Sequence, residues 1–464
     1  MDPTLENEGA LSLDGREFIF VAGLDSELVP GVFVTLNDPD GYQQFGQIQE
    51  ARLDVGSIRC SGRILGVLTP DGRFDDRLGY PCRNAVVAEA DSSAIELFYA
   101  AAGATLRVGS LMAVSDIHAR LMPHRFNRHT FWCGQSGSGK TYALGVLLEQ
   151  LLIGTELPMV IFDPNADFVR MQDAHPGADG SPRDQQALAE RDIRILRAGA
   201  PDPGGLYVRF TDLPTKSKAA ILRLDPLVDR TEYNELLHLE VEVGGQDTQD
   251  IVGKLRARGE TAALNLAARI ENLRIIDWDV WAKQHQAVTD IIDARPDATV
   301  LDLGGFAYPD EYLVVAMSVL DDLWAKRESK RPILIVIDEA HNLCSTDNDS
   351  PLHTAVRERI VQIAAEGRKF GLWLLLSTQR PSRVHPSILS QCDNLALMKM
   401  SSAQDLDELG TIFGQVPPAM LKRVLRLKQG EALFAGGFVP APSLIRLRRR
   451  LTREGGTDVN VPLR

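Results

Sequence analysis

Residues 131–145 read FWCGQSGSGKTYALG, an apolar run followed by a glycine cluster, a lysine, a hydroxyl residue and an apolar repeat. From Gly134 to Thr141 the stretch fits the pattern GxxxxGK[ST]. A loop of this kind between a strand and a helix turns backbone N–H groups inward, and the helix N-terminus adds free donors and a favourable dipole. The stretch therefore predicts an α/β fold with a nucleoside triphosphate site at this turn.

The loop residues have separate expected tasks in holding ATP or GTP. We expect Lys140 to reach the β- and γ-phosphates and Thr141 to ligate Mg²⁺. The opposing interpretation is a glycine-rich turn with a solvated lysine, which the flanking strand and helix patterns disfavour. ATP and Mg²⁺ are therefore the expected cofactors. The expected nucleotide-binding residues are Gly134, Gln135, Ser136, Gly137, Ser138, Gly139, Lys140 and Thr141.

The composition is that of a soluble globular protein. The chain has 464 residues, of which 44% are apolar and 24% charged, enough for two or three domains. No apolar run approaches the roughly 20 residues of a membrane-spanning helix, and the acidic N-terminus lacks the apolar segment of a signal peptide. The five cysteines form no CxxC pair, which argues against a zinc site and favours a reducing cytoplasm. The net charge of −13 argues only weakly against DNA, because a ring can be acidic outside and basic inside.

The strand and helix patterns change along the chain. Short β-rich segments between about residues 11 and 110 predict a small barrel or sandwich, and residues 111–127 resemble a connector. From residue 128 onward, TFWC, MVIF, IRIL, TVLDL, ILIVI, LWLLL and NLALM are strand candidates that alternate with helical patterns. Buried strands alternating with helices predict a mostly parallel sheet. Residues 172–190 read as an exposed insertion, and residues 211–297 as a helical insert with a Gly-Gly break at 244–245.

These patterns divide the chain into expected domains. We predict an N-terminal β-barrel over residues 1–115 and an α/β domain over residues 116–440 that contains the helical insert. A basic C-terminal tail is expected over residues 441–464.

A second stretch, RPILIVIDEAHN, supplies the acidic residues that a triphosphatase needs. The five apolar residues ILIVI directly precede Asp338. We therefore place Asp338 at the carboxyl end of a central strand. We expect Asp338 to hold Mg²⁺ through its water shell and Glu339 to orient or deprotonate the attacking water. The opposing interpretation is a pair of acidic residues that cap the next helix.

Two further strand ends carry polar candidates. After LWLLLS we expect Gln379 to sense the γ-phosphate, and Thr378 is the second candidate for this role. The opposing interpretation is a turn that Pro381 imposes at the end of the strand. In IFDPNADF, Asp163 ends a strand at the edge where such sheets bind ligands. Asp163 either supports the metal or the water, or makes a structural turn with Pro164, and both interpretations remain open.

Several motifs together resemble the HerA branch of the HerA–FtsK ATPases. They are RHTFWCGQSGSGKT, VIFDPNADF, LDLGGF, ILIVIDEAHNLC, EGRKFGLWLLLSTQRPS and LKQGEALFAGGFVPAP, and their order and spacing also fit. The N-terminal segment from VPGVFVTLND to FGQIQEARL resembles the small barrel of that family. The resemblance covers most of the chain except about residues 172–297.

This resemblance implies a RecA-like P-loop ATPase domain in a hexameric ring that hydrolyses ATP. It implies translocation on, or unwinding of, double-stranded DNA in a central pore, with a NurA-like nuclease or an anti-phage defence effector as partner. An alternative from another class is an ATP-dependent ring scaffold that activates an effector enzyme, with DNA translocation secondary. A rotary-type ATPase subunit is a third possibility, which DEAH and STQRP disfavour.

Ring ATPases usually complete each site with an arginine from the neighbouring subunit. Arg368 in EGRKFG is the first candidate by its resemblance to the family motif, Arg128 is the second, and Arg380 is weaker. The opposing interpretation for each is a surface arginine at the end of an element.

Candidate DNA contacts are harder to read. The basic run LIRLRRRLTR could bind phosphate, brace a neighbouring subunit or protect an edge strand. Five cations of the insert could face a pore or form a solvated helix face: Lys216, Lys218, Lys254, Arg256 and Arg258.

Overall fold

The computed structural model describes residues 9–39, 41–114, 116–175, 181–243 and 251–456. The predicted Gly-Gly break, part of the predicted exposed insertion and the end of the predicted tail lie outside these residues. The strands are β1 Ala10–Ser12, β2 Glu17–Ala22, β3 Phe33–Asn37, β4 Gln43–Asp54, β5 Ser57–Leu68, β6 Phe74–Asp75, β7 Cys82–Glu89, β8 Leu106–Leu111, β9 His118–Leu121, β10 His129–Cys133, β11 Met159–Asp163, β12 Ile193–Arg197, β13 Ala298–Asp302, β14 Ile333–Ile337, β15 Leu372–Thr378, β16 Cys392–Met398, β17 Glu431–Gly436 and β18 Ser443–Leu447. The α-helices are α1 Ser92–Ala102, α2 Lys140–Gly154, α3 Pro182–Ala189, α4 Thr215–Ile221, α5 Arg230–Val243, α6 Ile251–Arg258, α7 Thr261–Asn272, α8 Val288–Asp293, α9 Glu311–Ala325, α10 His341–Cys344, α11 Pro351–Glu366, α12 Pro386–Leu389, α13 Ala403–Ile412 and α14 Pro418–Arg423.

The chain divides into two compact units. The first, which we call the barrel unit, comprises residues 1–126, 130–155 and 393–449. The second, the parallel-sheet unit, comprises residues 127–129, 156–392 and 450–464.

The predicted N-terminal barrel is confirmed. Strands β2, β1, β7, β3, β4 and β5 pair in that order, and β5 pairs back with β2 to close the ring. Along β2 the residues alternate between exposed and buried, as the pleat requires of a strand that lines a core. Phe18, Val34 and Ile48 pack in that core. Closure leaves each of these strands paired on both sides, so the barrel presents no long open edge.

The rest of the barrel unit contains the phosphate loop and a series of antiparallel strand pairs. Strand β18 pairs with β17 on one side and with β8 on the other, and β8 forms a hairpin with β9. The connector predicted at 111–127 is therefore wrong in part, because β9 lies within it. The side-chain amide of Gln47 donates to the carbonyls of Gly31 and Pro442, which ties the barrel to the start of β18.

The predicted mostly parallel sheet is also confirmed, and it forms the core of the parallel-sheet unit. The order is β12, β13, β11, β14, β15, and every pair is parallel. All residues of β11 and β14 are buried, which explains their unbroken apolar sequences. Parallel pairing brings Arg197, Asp302 and Asp163 into register at the carboxyl ends of adjacent strands.

Helices account for much of the range predicted as an insert, 211–297. Helices α4 to α8 lie there, and α7 buries Ala263, Leu266, Ala267 and Ile270 on one face. Helix α7 packs against α5 and α6. Outside this range, α11 begins at Pro351 with Ser350 as its cap and packs against α9.

Candidate active site

The phosphate loop lies between β10 and α2, as its sequence predicts. Gly137 and Gly139 have φ angles of 75° and 85°, in the left-handed region that favours glycine, and Gly139 immediately precedes α2. A Cβ on Gly134 would lie 2.8 Å from the Cβ of Met398 and from the hydroxyl of Ser138, so a side chain does not fit there. The loop shape therefore depends on these glycines.

Neighbouring segments of the barrel unit support the loop. The N–H of Gln135 donates to the carbonyl of Lys399 at 3.0 Å, and the N–H of Gly430 donates to the carbonyl of Ser138 at 3.1 Å. Lys140 is the first residue of α2 and its side chain is 4% exposed. A lysine held this closely does not fit the solvated-lysine interpretation.

The acidic pair stands at the carboxyl end of β14. Asp338 follows directly on Ile337, and both Asp338 and Glu339 are buried. Glu339 has a φ of 44°, a left-handed backbone conformation that a glutamate rarely adopts and that costs about 1–3 kcal/mol. Such an outlier persists only where the surrounding structure imposes it, and it often marks a functional position.

Two side chains contact the Glu339 carboxylate. Gln379, just after β15, donates from Nε2 to Glu339 Oε1 at 2.6 Å. His341 Nδ1 lies 3.2 Å from Glu339 Oε2 and 3.1 Å from the hydroxyl of Thr378. The two sensor candidates of the sequence therefore reach the same acid, Gln379 directly and Thr378 through His341. His341 itself is a residue that the sequence analysis missed.

Comparisons with known proteins identify the family. The family model for "Helicase HerA, central domain" matches residues 106–318. The chain is 32% identical over 384 residues to the DNA double-strand break repair helicase HerA of Sulfurisphaera tokodaii, covering 77% of this chain and 72% of that protein. This chain belongs to the HerA family. The resemblance noted in its motifs is thereby confirmed.

Other relatives extend the HerA match. The HerA of Sulfolobus acidocaldarius, also a DNA double-strand break repair helicase, is 23% identical over 451 residues, which cover 92% of this chain and 85% of that protein. Among solved structures, VirB4 of Thermoanaerobacter pseudethanolicus matches at 15% identity with a TM-score of 0.48, covering 75% of this chain and 97% of that one.

Asp163 occupies a different setting from Glu339 in this HerA chain. Its two carboxylate oxygens accept the backbone N–H groups of Asp167 and Phe168 at 2.9 and 2.8 Å. Burial raises the pKa of Asp163 to about 7, and the charges of Asp167 and Asp338 add to the rise. Of the two interpretations left open by the sequence, these contacts favour the structural turn, while the carboxylate of Asp338 remains within its electrostatic reach.

The candidate arginines lie at the opposite ends of the strands. Arg368 belongs to the 3-10 helix Gly367–Phe370, between α11 and β15. Arg128 directly precedes His129, the first residue of β10. His129 is fully buried, and the charges of both arginines act on it. The sequence analysis assigned no role to His129, because a histidine at the start of an apolar strand has no motif of its own.

The cations of the insert are mostly engaged within the chain. Lys218 is 5% exposed and donates to the carbonyl of Thr211. Lys216 pairs with Glu358 at 2.9 Å, and further pairs are Arg256 with Glu271 and Arg258 with Glu235. These contacts favour the interpretation of a solvated or structural helix face.

The residues of the basic C-terminal run LIRLRRRLTR lie in different structural environments. Strand β18 pairs on both sides, so the interpretation of a charge-protected edge strand is wrong. Arg450 is fully buried over the ring of Phe168 and donates from Nε to Thr452. A buried arginine of this kind does not offer its charge to DNA phosphates.

Within residues 9–456, apart from the gaps at 40, 115, 176–180 and 244–250, no three His, Cys, Asp or Glu side chains cluster as metal ligands. In the part of the chain that the structure describes, no helix is long and apolar enough to cross a bilayer.

Proposed function

We propose that this HerA-family chain is a magnesium-dependent ATP hydrolase that assembles as a ring, most simply of six copies, and moves on double-stranded DNA. The observation that carries the proposal is the Glu339 site. A buried carboxylate, one residue after Asp338 at a strand end, is strained in its backbone and bonded to Gln379 at the end of the next strand. A structural helix cap requires neither that strain nor that partner.

The phosphate loop supplies nucleotide binding in this proposal. Its backbone N–H groups and the N-terminus of α2 surround the phosphates, and Lys140 contacts the β- and γ-phosphates. Thr141 and Asp338 are the residues that would hold Mg²⁺, since one hydroxyl and one carboxylate suit an ion that keeps several waters and phosphate oxygens as ligands. Magnesium, when bound, neutralises charge on the transferring phosphoryl group.

Glu339 acts on water in the proposal. Its carboxylate orients the attacking water or takes its proton. Gln379 donates to one oxygen of this carboxylate, and its exposed position lets the same amide turn toward a γ-phosphate. If Gln379 bonds to the γ-phosphate instead of Glu339, the Glu339 carboxylate is released to act on water. Activation of the base would then depend on bound ATP.

The arginine completes the site from a neighbouring copy. Arg368 lies on the amino-terminal side of β15, whereas Glu339 and Gln379 lie beyond the carboxyl ends of β14 and β15. An arginine so placed suits the nucleotide of the next subunit in a head-to-tail ring. Arg128 is the reserve candidate.

Double-stranded DNA is the proposed substrate for movement, because the matched relatives are named DNA double-strand break repair helicases. We place the protein in the cytoplasm without a membrane partner. Its proposed protein partner is a NurA-like nuclease or a defence effector.

The competing function is a ring scaffold that organises an effector. The net charge of −13 and the internally paired cations of the insert favour it. Measurement of ATP turnover with and without linear duplex DNA separates the two. We expect duplex DNA to raise turnover at least about fivefold, with a steep loss of this stimulation as salt increases. Turnover that ignores DNA at every salt concentration would favour the scaffold.

A further inference from the structure

His129 makes two buried hydrogen bonds to the main chain. Its Nε2 lies 3.0 Å from the carbonyl oxygen of Ala364, and its Nδ1 lies 2.9 Å from the backbone nitrogen of Leu374. A backbone N–H can only donate, so Nδ1 is the acceptor, and Nε2 carries the proton that it donates to the carbonyl. Both bonds therefore require the neutral imidazole in this one tautomer.

These two bonds join the ends of the segment that carries Arg368. Ala364 lies in the last turn of α11, where carbonyls run out of helical N–H partners, and Leu374 is the third residue of β15. Between them, the carbonyl of Arg368 accepts from the N–H of Gly371 and from the indole of Trp373. The His129 side chain thus bridges the two ends of this segment, and within the segment two donors fix the main-chain carbonyl of Arg368.

The surroundings keep the imidazole neutral. Burial lowers the pKa of His129 to about 4, and the positive charges of Arg368 and Arg128 act in the same direction. The acceptor at Nδ1 is consequently available throughout the physiological pH range.

We propose that His129 is a positioning residue that fixes the placement of Arg368 for the nucleotide of the neighbouring subunit. The inference rests on the proposed function of Arg368. His129 also begins β10, whose last residue Cys133 directly precedes the phosphate loop. Strand β10 therefore begins at His129, which positions Arg368 for the neighbouring subunit, and ends next to the loop that would bind the subunit's own nucleotide.

The test is a double-mutant cycle between His129 and Arg368. His129→Phe keeps an aromatic ring in the buried site and removes both hydrogen bonds. We expect kcat to fall about 10- to 100-fold, since misplacing a catalytic group by about 1 Å costs on this order, while the Kd for an ATP analogue changes less than about twofold. In the Arg368→Ala background the same substitution should cost almost nothing more, because no arginine remains to be positioned.

Two variants separate positioning from general stability. Glu311→Leu removes another buried side chain that accepts from two backbone N–H groups, those of Val280 and Tyr308, and it should keep kcat within about threefold. His129→Asn places an amide oxygen near the Nδ1 position and should restore part of the lost kcat. Where His129→Phe does not fold, His129→Asn takes its place in the cycle.

Each result decides between the alternatives. Non-additive losses with unchanged nucleotide affinity support the positioning role. Additive losses, a drop in nucleotide affinity, or an equal fall of kcat in Glu311→Leu would overturn it and leave the role of Arg368 untouched. Full activity of Arg368→Ala would instead remove the proposed function of Arg368, and this inference would fall with it.

Discussion

The two ends of the parallel strands carry different candidate residues of the proposed site. At or directly after the carboxyl ends of β11, β13 and β14 stand acids: Asp163, Asp302, Asp338 and Glu339. Before the amino ends of β13, β14 and β15 stand arginines: Arg295, Arg331 and Arg368. Carboxylates suit a magnesium ion and an attacking water, whereas guanidinium groups suit the phosphate charge of a nucleotide. We call the edge with Asp163, Asp302, Asp338 and Glu339 the acidic edge and the edge with Arg295, Arg331 and Arg368 the basic edge. In the proposed function, Asp338 and Glu339 serve the subunit's own nucleotide, and Arg368 serves the nucleotide of the neighbouring subunit.

The two edges also differ in how their groups are held. At the acidic edge, Gln379 bonds to the side chain of Glu339, and Asp163 accepts two main-chain N–H groups. At the basic edge, side chains bond to main-chain carbonyls, as Arg331 does to Asp293, and His129 closes the loop of Arg368. A head-to-tail ring brings unlike edges of neighbouring copies together.

The largest effect is expected at the basic edge. Arg368→Ala should lower kcat by about 10³–10⁵ while an ATP analogue still binds, because an arginine of this type stabilises charge that develops in the transition state. Steady-state turnover and equilibrium binding of a fluorescent ATP analogue measure the two quantities. Arg128→Ala is the matched comparison. Full activity of Arg368→Ala would transfer the role to Arg128.

Mixed rings test whether Arg368 acts on the neighbouring subunit. Arg368→Ala and Lys140→Ala proteins should each be inactive, for different reasons. After subunit exchange, an Arg368→Ala copy offers its intact phosphate loop to the intact arginine of a Lys140→Ala neighbour, and turnover should partly recover. Mass spectrometry verifies that the rings are mixed. Mixed rings without recovery would indicate action within one subunit or a strict requirement that every site be competent.

A smaller loss is expected at the acidic edge. Glu339→Gln should bind ATP and turn over about 10²–10⁴ times more slowly, since the amide cannot take a proton from water. Lys140→Ala should instead lose nucleotide binding, because this lysine contacts the bound phosphates. The same binding and turnover assays distinguish the two. Normal turnover in Glu339→Gln would end its assignment as the base.

The sequence predicted those parts of the molecule that depend on local patterns. The phosphate loop, the barrel and the seven strands from β10 to β16 follow from glycine spacing and apolar runs, which act within a few residues. The hairpin of β8 and β9 was missed because its second strand is short and mixed in polarity. Its pairing with β18 depends on residues more than 300 positions away.

The sequence likewise predicted only those parts of the candidate site that depend on local motifs. Asp338 and Glu339 are recognisable from ILIVIDE, but the left-handed backbone of Glu339 and its bond to Gln379 are tertiary features. His341 lies inside the quoted DEAHN motif, so its spacing of two from Glu339 was an available signal. His129 offered none, since its partners Ala364 and Leu374 are far away in the chain.

The smallest expected effect concerns pH and involves Asp163 at the acidic edge and His129 at the basic one. Burial raises the pKa of Asp163 from 3.8 to about 7, so the folded chain binds that proton more tightly than the unfolded chain. Burial lowers the pKa of His129 from 6.5 to about 4, so the folded chain binds that proton less tightly. As pH rises from about 4 to 6.5, Asp163 therefore lowers the free energy of unfolding, and His129 raises it.

Substitutions should expose these opposing contributions. Relative to the unaltered protein, His129→Phe should lose stability as pH rises from 4 to 6.5, because it lacks the contribution that grows with pH. Asp163→Asn should gain relative stability as pH rises over the same window, because it lacks the contribution that shrinks. Across the window from pH 4 to 6.5, each difference amounts to at most about 3–4 kcal/mol. Thermal unfolding midpoints of nucleotide-free protein in a metal chelator, taken at half-unit pH steps, measure both trends. A constant offset from the unaltered protein at every pH would show that the substituted group titrates alike in the folded and unfolded chains, which would contradict the environment assigned to its edge of the sheet.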